Sequence, residues 1–239
     1  MNLSRDFTLK IHFILDQLLP PVLRDSRLFM KFPMKLFFSA KHERIMSFKE
    51  RAPFMTREEY AAFYEETAPF HMSRATDLNK KCARAILDNI VGESALDAGC
   101  GRGFLVKAIR DEGRCGNIYG MDIVIPDELR EQSGINFMNG SAESIPFASS
   151  SVDTVICSHV LEHVVDLHTV ISELRRVARR RVIIVVPSQR SYRYTFDLHL
   201  RFFPYIHSFL LEMMPFDAAL IRCEYMDGDI YYQEDRDQS

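Results

Sequence analysis

Residues 95–109 read ALDAGCGRGFLVKAI: a short apolar run holding one aspartate, then three glycines on alternate positions. Glycine inside a regular element costs about 1 kcal/mol against alanine. Gly99, Gly101 and Gly103 therefore mark a backbone that bends sharply, or that admits something a Cβ would block. Ahead of them, SALDAG (94–99) reads as a buried strand. Behind them, FLVKAIRDEG (104–113) reads as a helix ended by Gly113.

The same alternation continues outward. NIYGMDI (117–123), INFMNG (135–140) and VDTVICS (152–158) read as further strands. A helix follows with Leu167, Val170, Ile171, Leu174 and Val177 on one side, and then RVIIVVP (181–187), apolar on both faces as a central parallel strand is. ALIRCEYM (219–226) and DIYYQED (229–235) flank Asp227-Gly228, a hairpin turn signal. Upstream, Leu78, Cys82, Ile86 and Ile90 mark one face of a helix. The pattern predicts an α/β fold: a doubly wound, mostly parallel seven-stranded sheet with a C-terminal antiparallel hairpin. Before residue 75 the pieces are helical or irregular. Phe7, Ile11, Ile14 and Leu18 recur at helical spacing, and Pro20-Pro21 stops that helix. The expected division is an N-terminal helical cap or lid over 1–74 and a sheet domain over 75–239.

Composition sets the bounds. The 239 residues are 47% hydrophobic and 26% charged, ordinary for a globular chain that buries its own core. No apolar run is long enough to cross a bilayer, and Asp16 interrupts any signal-peptide core. Five scattered cysteines suit free buried thiols in a reducing cytoplasm, with no disulfide frame and no metal site. Residues 1–51 carry ten Lys or Arg against five Asp or Glu, about +5, while the whole chain is −3. The acidic remainder argues against nucleic acid. Within the basic segment, RLFMKFPMKLFFSAK (27–41) interleaves bulky apolar residues with Lys31 and Lys35. Such a stretch suits either a cap buried on the sheet domain or peripheral contact with the inner face of an anionic membrane.

The glycines fall on the carboxyl edge of the sheet, where open α/β folds bind ligands, at a helix N-terminus that attracts anions. Asp122 ends the next strand about 20 residues on, where an acid accepts from ribose hydroxyls. Turn and acid together point to a ligand containing a nucleoside. Phe104 stands where a dinucleotide fingerprint needs its third glycine, and no Gly-Lys-Ser/Thr ending makes a P-loop. The stretch DAGCGRG (97–103) resembles motif I of the class I S-adenosylmethionine-dependent methyltransferases. GSAESIPFASSSVDTVICSHVLEHVVD (140–166) resembles the third and fourth motifs of the subgroup that holds the ubiquinone and menaquinone methyltransferases, the type 11 methyltransferases. HLRFFPYIHSFLLEMMPFDAALIRCE (199–224) is similar to its late helix and sixth strand. The resemblance spans about 75–234 and implies a Rossmann-like fold, S-adenosylmethionine as cofactor, and transfer to a small or lipid-like acceptor. It implies that Asp97, Gly99 and Gly101 surround the methionine part, with Gly103 opening the helix. It gives Asp122 the ribose, Ile123 an adenine face, Ala142 and Glu143 the adenine edge, and Ser158 and His159 the transfer site. Ser141 stands where the subgroup usually has an aspartate.

A sulfonium methyl is already activated, so positioning dominates and at most one base is needed. Candidates for that base are His159, Glu162, His163 and His199, with His163 more easily read as structural. Tyr60, Tyr64 and His71 suit a lid over the site, or an ordinary amphipathic helix. A cofactor-binding adaptor without turnover, and a nicotinamide oxidoreductase, are the alternatives to the transferase.

Overall fold

The computed structural model describes residues 13–71, 75–194 and 196–236. They form two compact units: the described parts of Met1–Ala75 with Gln189–Phe202, and of Thr76–Ser188 with Phe203–Ser239. Gln189–Phe202, which the sequence places in the sheet domain, thus groups with the first unit.

The second unit is built on seven strands: β1 (Ser94–Ala98), β2 (Asn117–Asp122), β3 (Asn136–Asn139), β4 (Val152–Ser158), β5 (Ala178–Pro187), β6 (Ile221–Met226) and β7 (Asp229–Asp235). Their order is β3-β2-β1-β4-β5-β7-β6. Pairs from β3 through β5 are parallel, and β7 runs antiparallel to both β5 and β6. This is the Rossmann-like, mostly parallel sheet with a closing hairpin that the alternation predicts. Asp227 (φ 49°) and Gly228 (φ 91°) both take the left-handed conformation that a tight hairpin turn demands.

Alternation along each central strand divides the core between two faces. Val182, Ile184 and Val186 of β5 pack with Leu96, Val155 and Cys157 on one side. Ile183 and Val185 pack with Ala95 and Ile156 on the other. The helix Leu167–Val177 buries the five residues read from its stripe and covers the first face, its N-terminus capped by Asp166 accepting from the Thr169 amide. Strand β5 begins three residues earlier than RVIIVVP, directly from that helix's last residue. The chain leaves β1 for β2 and β3 on one side, then crosses to β4 on the other. The carboxyl ends of β1, β2 and β4 therefore border the point where the winding direction changes.

The first unit is helical. Its core joins Met30, Met34 and Phe38 of the helix Arg27–Phe38 to Ile45, Met46, Phe48 and Phe63, and to Tyr192, Tyr194 and Leu198. Phe48 and Phe63 stack with ring centroids 4.7 Å apart. The two described residues of the stripe expected from Phe7 to Leu18 are not buried. Ile14 and Leu18 are exposed on a single turn (Ile14–Leu18) while Leu15 is buried. Phe7 and Ile11 lie outside the described residues, as does the side chain of His71.

Candidate functional site

The glycine turn departs from regular backbone at each glycine: φ is 95° at Gly99, 51° at Gly101 and 73° at Gly103. All three lie in the region that disfavours a side chain. A Cβ on Gly99 would stand 2.1 Å from Val160 Cγ2, so that position is closed by packing. A Cβ on Gly101 would meet nothing within 4 Å, so the turn faces open space there. The Gly99 and Cys100 amides donate to the Met121 carbonyl, tying the turn to the end of β2. Gly103 caps the helix Phe104–Asp111, with no side chain over its first amides.

Two carboxylates border this turn. Asp97 is buried at the end of β1, and its Oδ1 has no hydrogen-bond partner among the described residues. Burial, with the nearby Asp122 charge, pushes its carboxyl up to about 7. Asp122, half-buried at the end of β2, accepts from the Gly101 amide through Oδ2 at 2.8 Å. Burial raises its carboxyl too, against the hydrogen bonds from the Gly101, Val124 and Ile123 amides. A buried carboxylate oxygen left unpaired is costly, and a cation or a donor brought to Asp97 would relieve it. An open glycine turn beside one orphaned and one half-exposed carboxylate fits a ligand with an ammonium group and a ribose.

The remaining sequence candidates gather along the same edge. Ile123 is exposed past the end of β2, and the Asn139 amide nitrogen donates to its carbonyl at 3.0 Å. The Gly140 amide donates to the Asp122 carbonyl, which brings the 140–145 turn against β2. Ala142 and Glu143 are half-buried in that turn, and the Glu143 amide donates to Ser141 Oγ at 3.2 Å. Ser158 closes β4, half-buried, with His159 next to it at φ 54°.

His159 lies between two buried carboxylates. Its Nδ1 is 3.3 Å from Glu162 Oε1 and its Nε2 is 3.5 Å from Asp229 Oδ2. Burial opposes the charged ring, but both acids favour it, and the imidazolium is held up to about 10. The two acids thus favour the protonated form of the ring that the sequence offered as a base. Asp229 also accepts from Asn79 Nδ2 at 2.7 Å, and Asn79 Oδ1 caps the helix Lys80–Asp88. His163 donates its backbone amide to the Val160 carbonyl in the turn that carries this cluster.

His199, Tyr60 and Tyr64 belong to the other unit. His199 is buried with Nδ1 2.7 Å from Gln189 Oε1 and 3.6 Å from Asp197 Oδ1. Tyr60 and Tyr64 stack at 5.0 Å, one helical turn apart.

Residues 96–186 match the family model described as a methyltransferase domain. Over this span the chain is similar to the methyltransferase-domain family. The matched span runs from β1 to β5 and includes the glycine turn, both carboxylates and His159. A demethylmenaquinone methyltransferase from Anoxybacillus flavithermus is 30% identical over 129 residues, 49% of this chain and 54% of that protein. A malonyl-[acyl-carrier protein] O-methyltransferase from Serratia marcescens is 30% identical over 97 residues, 39% of this chain and 37% of that protein. The chain thus spans about half or less of the length of these relatives. A solved protein from Pyrococcus horikoshii superimposes with a TM-score of 0.56 at 15% identity, over 74% of this chain and 99% of that one. That likeness is one of fold.

Sequence reading did not find Asp229 or Asn79 as neighbours of His159. Asp229 carries a signal only as the residue after the Asp227-Gly228 turn. Asn79 carries one only as a cap ahead of an apolar helical stripe. Neither signal says that the two meet His159 at the sheet edge.

Proposed function

We propose that this chain transfers the methyl group of S-adenosylmethionine to a small or lipid-like acceptor, and that it works in the cytoplasm at the inner face of a membrane. The observation that carries the reading is the unpaired Asp97 carboxylate oxygen beside the open glycine turn. In this reading Asp97, Gly99 and Gly101 hold the methionine part, with the raised Asp97 carboxyl ionising against the ligand's ammonium. Asp122 takes the ribose hydroxyls. Ile123, Ala142 and Glu143 take the adenine, with Ser141 supplying a neutral oxygen where an acid is usual in the resembling subgroup. S-adenosylmethionine, when bound, supplies a methyl group on a sulfonium, already activated for in-line displacement.

The chain's own work is then to orient the acceptor and keep water out. His159, fixed as a cation by Glu162 and Asp229, donates a hydrogen bond or screens negative charge next to Ser158. Any base that an oxygen or nitrogen nucleophile needs comes from elsewhere, and His199 is the candidate in this reading. The lid role of Tyr60, Tyr64 and His71 within residues 1–74 belongs to the same proposal.

Titration calorimetry with S-adenosylmethionine and with NAD tests the cofactor. Preference for NAD would overturn it. Transfer of a labelled methyl group tests the activity, with demethylated quinones and malonyl-acyl-carrier protein as the first acceptors because two relatives bear those names. Cofactor binding with no label moved to any lipid or small molecule of a cell extract would leave a non-catalytic adaptor. His199→Asn in the same assay tests the base.

A further inference from the structure

The helix Arg27–Phe38 is apolar on two sides. Met30, Met34 and Phe38, spaced by four, are buried in the core of the first unit. Leu28, Phe32 and Leu36, also spaced by four, are 87%, 77% and 73% exposed, and Phe29 is half exposed beside them. At about 100° per residue these four cover an arc of roughly 100°, well removed from the buried stripe. Lys31 and Lys35 fall on the border between the two stripes. Val22 and Phe54, at 80% and 86% exposure, add bulky apolar surface in the flanking segments of the same unit. Scattered exposed leucines need no explanation, but three stacked on successive turns do.

We propose that this stripe is a membrane-docking face that enters the interface of an anionic bilayer, the helix lying in the plane of the surface. Length excludes crossing, since no helix among the described residues is long and apolar enough to span a membrane. Charge selects an anionic surface. Residues 1–51 carry about +5, and Lys35 and Arg51 are exposed with no acidic partner among the described residues. Lys31 and Arg27 share Glu43, at 2.7 Å each. A lysine at the border of an apolar stripe can lay its methylenes along that stripe and leave its ammonium among lipid headgroups. The inference rests on the membrane location proposed above and not on the catalytic reading, because vesicle binding requires neither cofactor nor turnover.

Co-sedimentation of the full chain with vesicles decides it. The chain should pellet with vesicles of phosphatidylcholine and phosphatidylserine at low salt, and bind more weakly as salt screens the headgroups. Lys35→Ala and Arg51→Ala should each lower the partition coefficient about fivefold. Leu28→Ser with Phe32→Ser and Leu36→Ser should abolish binding while far-ultraviolet circular dichroism and the urea transition stay unchanged, since these side chains are mostly exposed. Wild type left in the supernatant with anionic vesicles at low salt would overturn the proposal. So would a triple-serine variant that pellets like wild type. A wild-type dimer in sedimentation velocity that the triple-serine variant dissolves would also overturn it, by making the stripe a contact between two copies.

Discussion

Replacing His159 by leucine removes the ring that lies between Glu162 and Asp229. Glu162 is fully buried and Asp229 nearly so, and neither carboxylate can move into water without opening the end of β4 or the hairpin. Asp229 keeps its hydrogen bond from Asn79, whereas both Glu162 oxygens lack a hydrogen bond of good geometry even in the wild type. Removing one member of a buried ion pair costs about 3–5 kcal/mol. The sign of the pH dependence follows from the shift. The imidazolium is held above its ordinary value, from 6.5 up to about 10. Its stabilisation is therefore complete below pH 6.5 and is lost as pH rises through about 10. Urea denaturation followed by circular dichroism should show a deficit of about 3–5 kcal/mol near pH 6 that shrinks as pH rises toward 10. A variant as stable as wild type near pH 6, or a deficit that grows as pH rises, would refute the charge assignment.

Further outcomes test the glycine edge. Asp97→Asn should stabilise the ligand-free protein above pH 7, because the raised carboxyl of Asp97 opposes folding once it must ionise, while weakening S-adenosylmethionine binding about tenfold or more. In wild type that same shift makes cofactor binding release a proton near pH 6.5, read as a dependence of the calorimetric heat on buffer ionisation. Asp122→Ala should weaken cofactor binding by about 1.5–3 kcal/mol in a folded protein, as ribose hydroxyls lose a charged acceptor. Gly99→Ala should unfold at lower urea because its Cβ collides with Val160. Gly101→Val should lose cofactor binding in calorimetry; its Cβ meets no neighbour, but a branched side chain at φ 51° is strained, so circular dichroism must show a folded chain for the result to count.

The sheet was legible because its strands obey short-range rules. Five apolar residues at helical spacing named the buried face of Leu167–Val177, and Asp227-Gly228 named the hairpin. Asp97, the three glycines and Asp122 could be placed on one edge because strand ends and turns fix them within a few residues. Where tertiary packing chooses between equal candidates, pattern is silent. Ile14 and Leu18 fit a helical stripe as well as any buried pair, yet Leu15 between them is the residue that finds a core. Likewise nothing local joins Asn79, His159 and Asp229, which are 70 to 150 residues apart. Their meeting depends on β7 inserting beside β5. The double apolar character of Arg27–Phe38 was visible as composition, but only the fold shows which of its two stripes is left uncovered.

The place of β7 between β5 and β6 has a consequence for synthesis on the ribosome. As the chain emerges, β1 through β5 can pair in sequence, but β5 is left with an open edge and β6 has no strand to join. Only when residues 229–235 clear the exit tunnel can one segment fill that gap, bonding to both neighbours at once. The same event delivers Asp229 to the waiting His159. Translation stalled before residue 229 would therefore leave a nascent chain with two sticky strand edges and an incomplete charge cluster, a species for chaperones to hold.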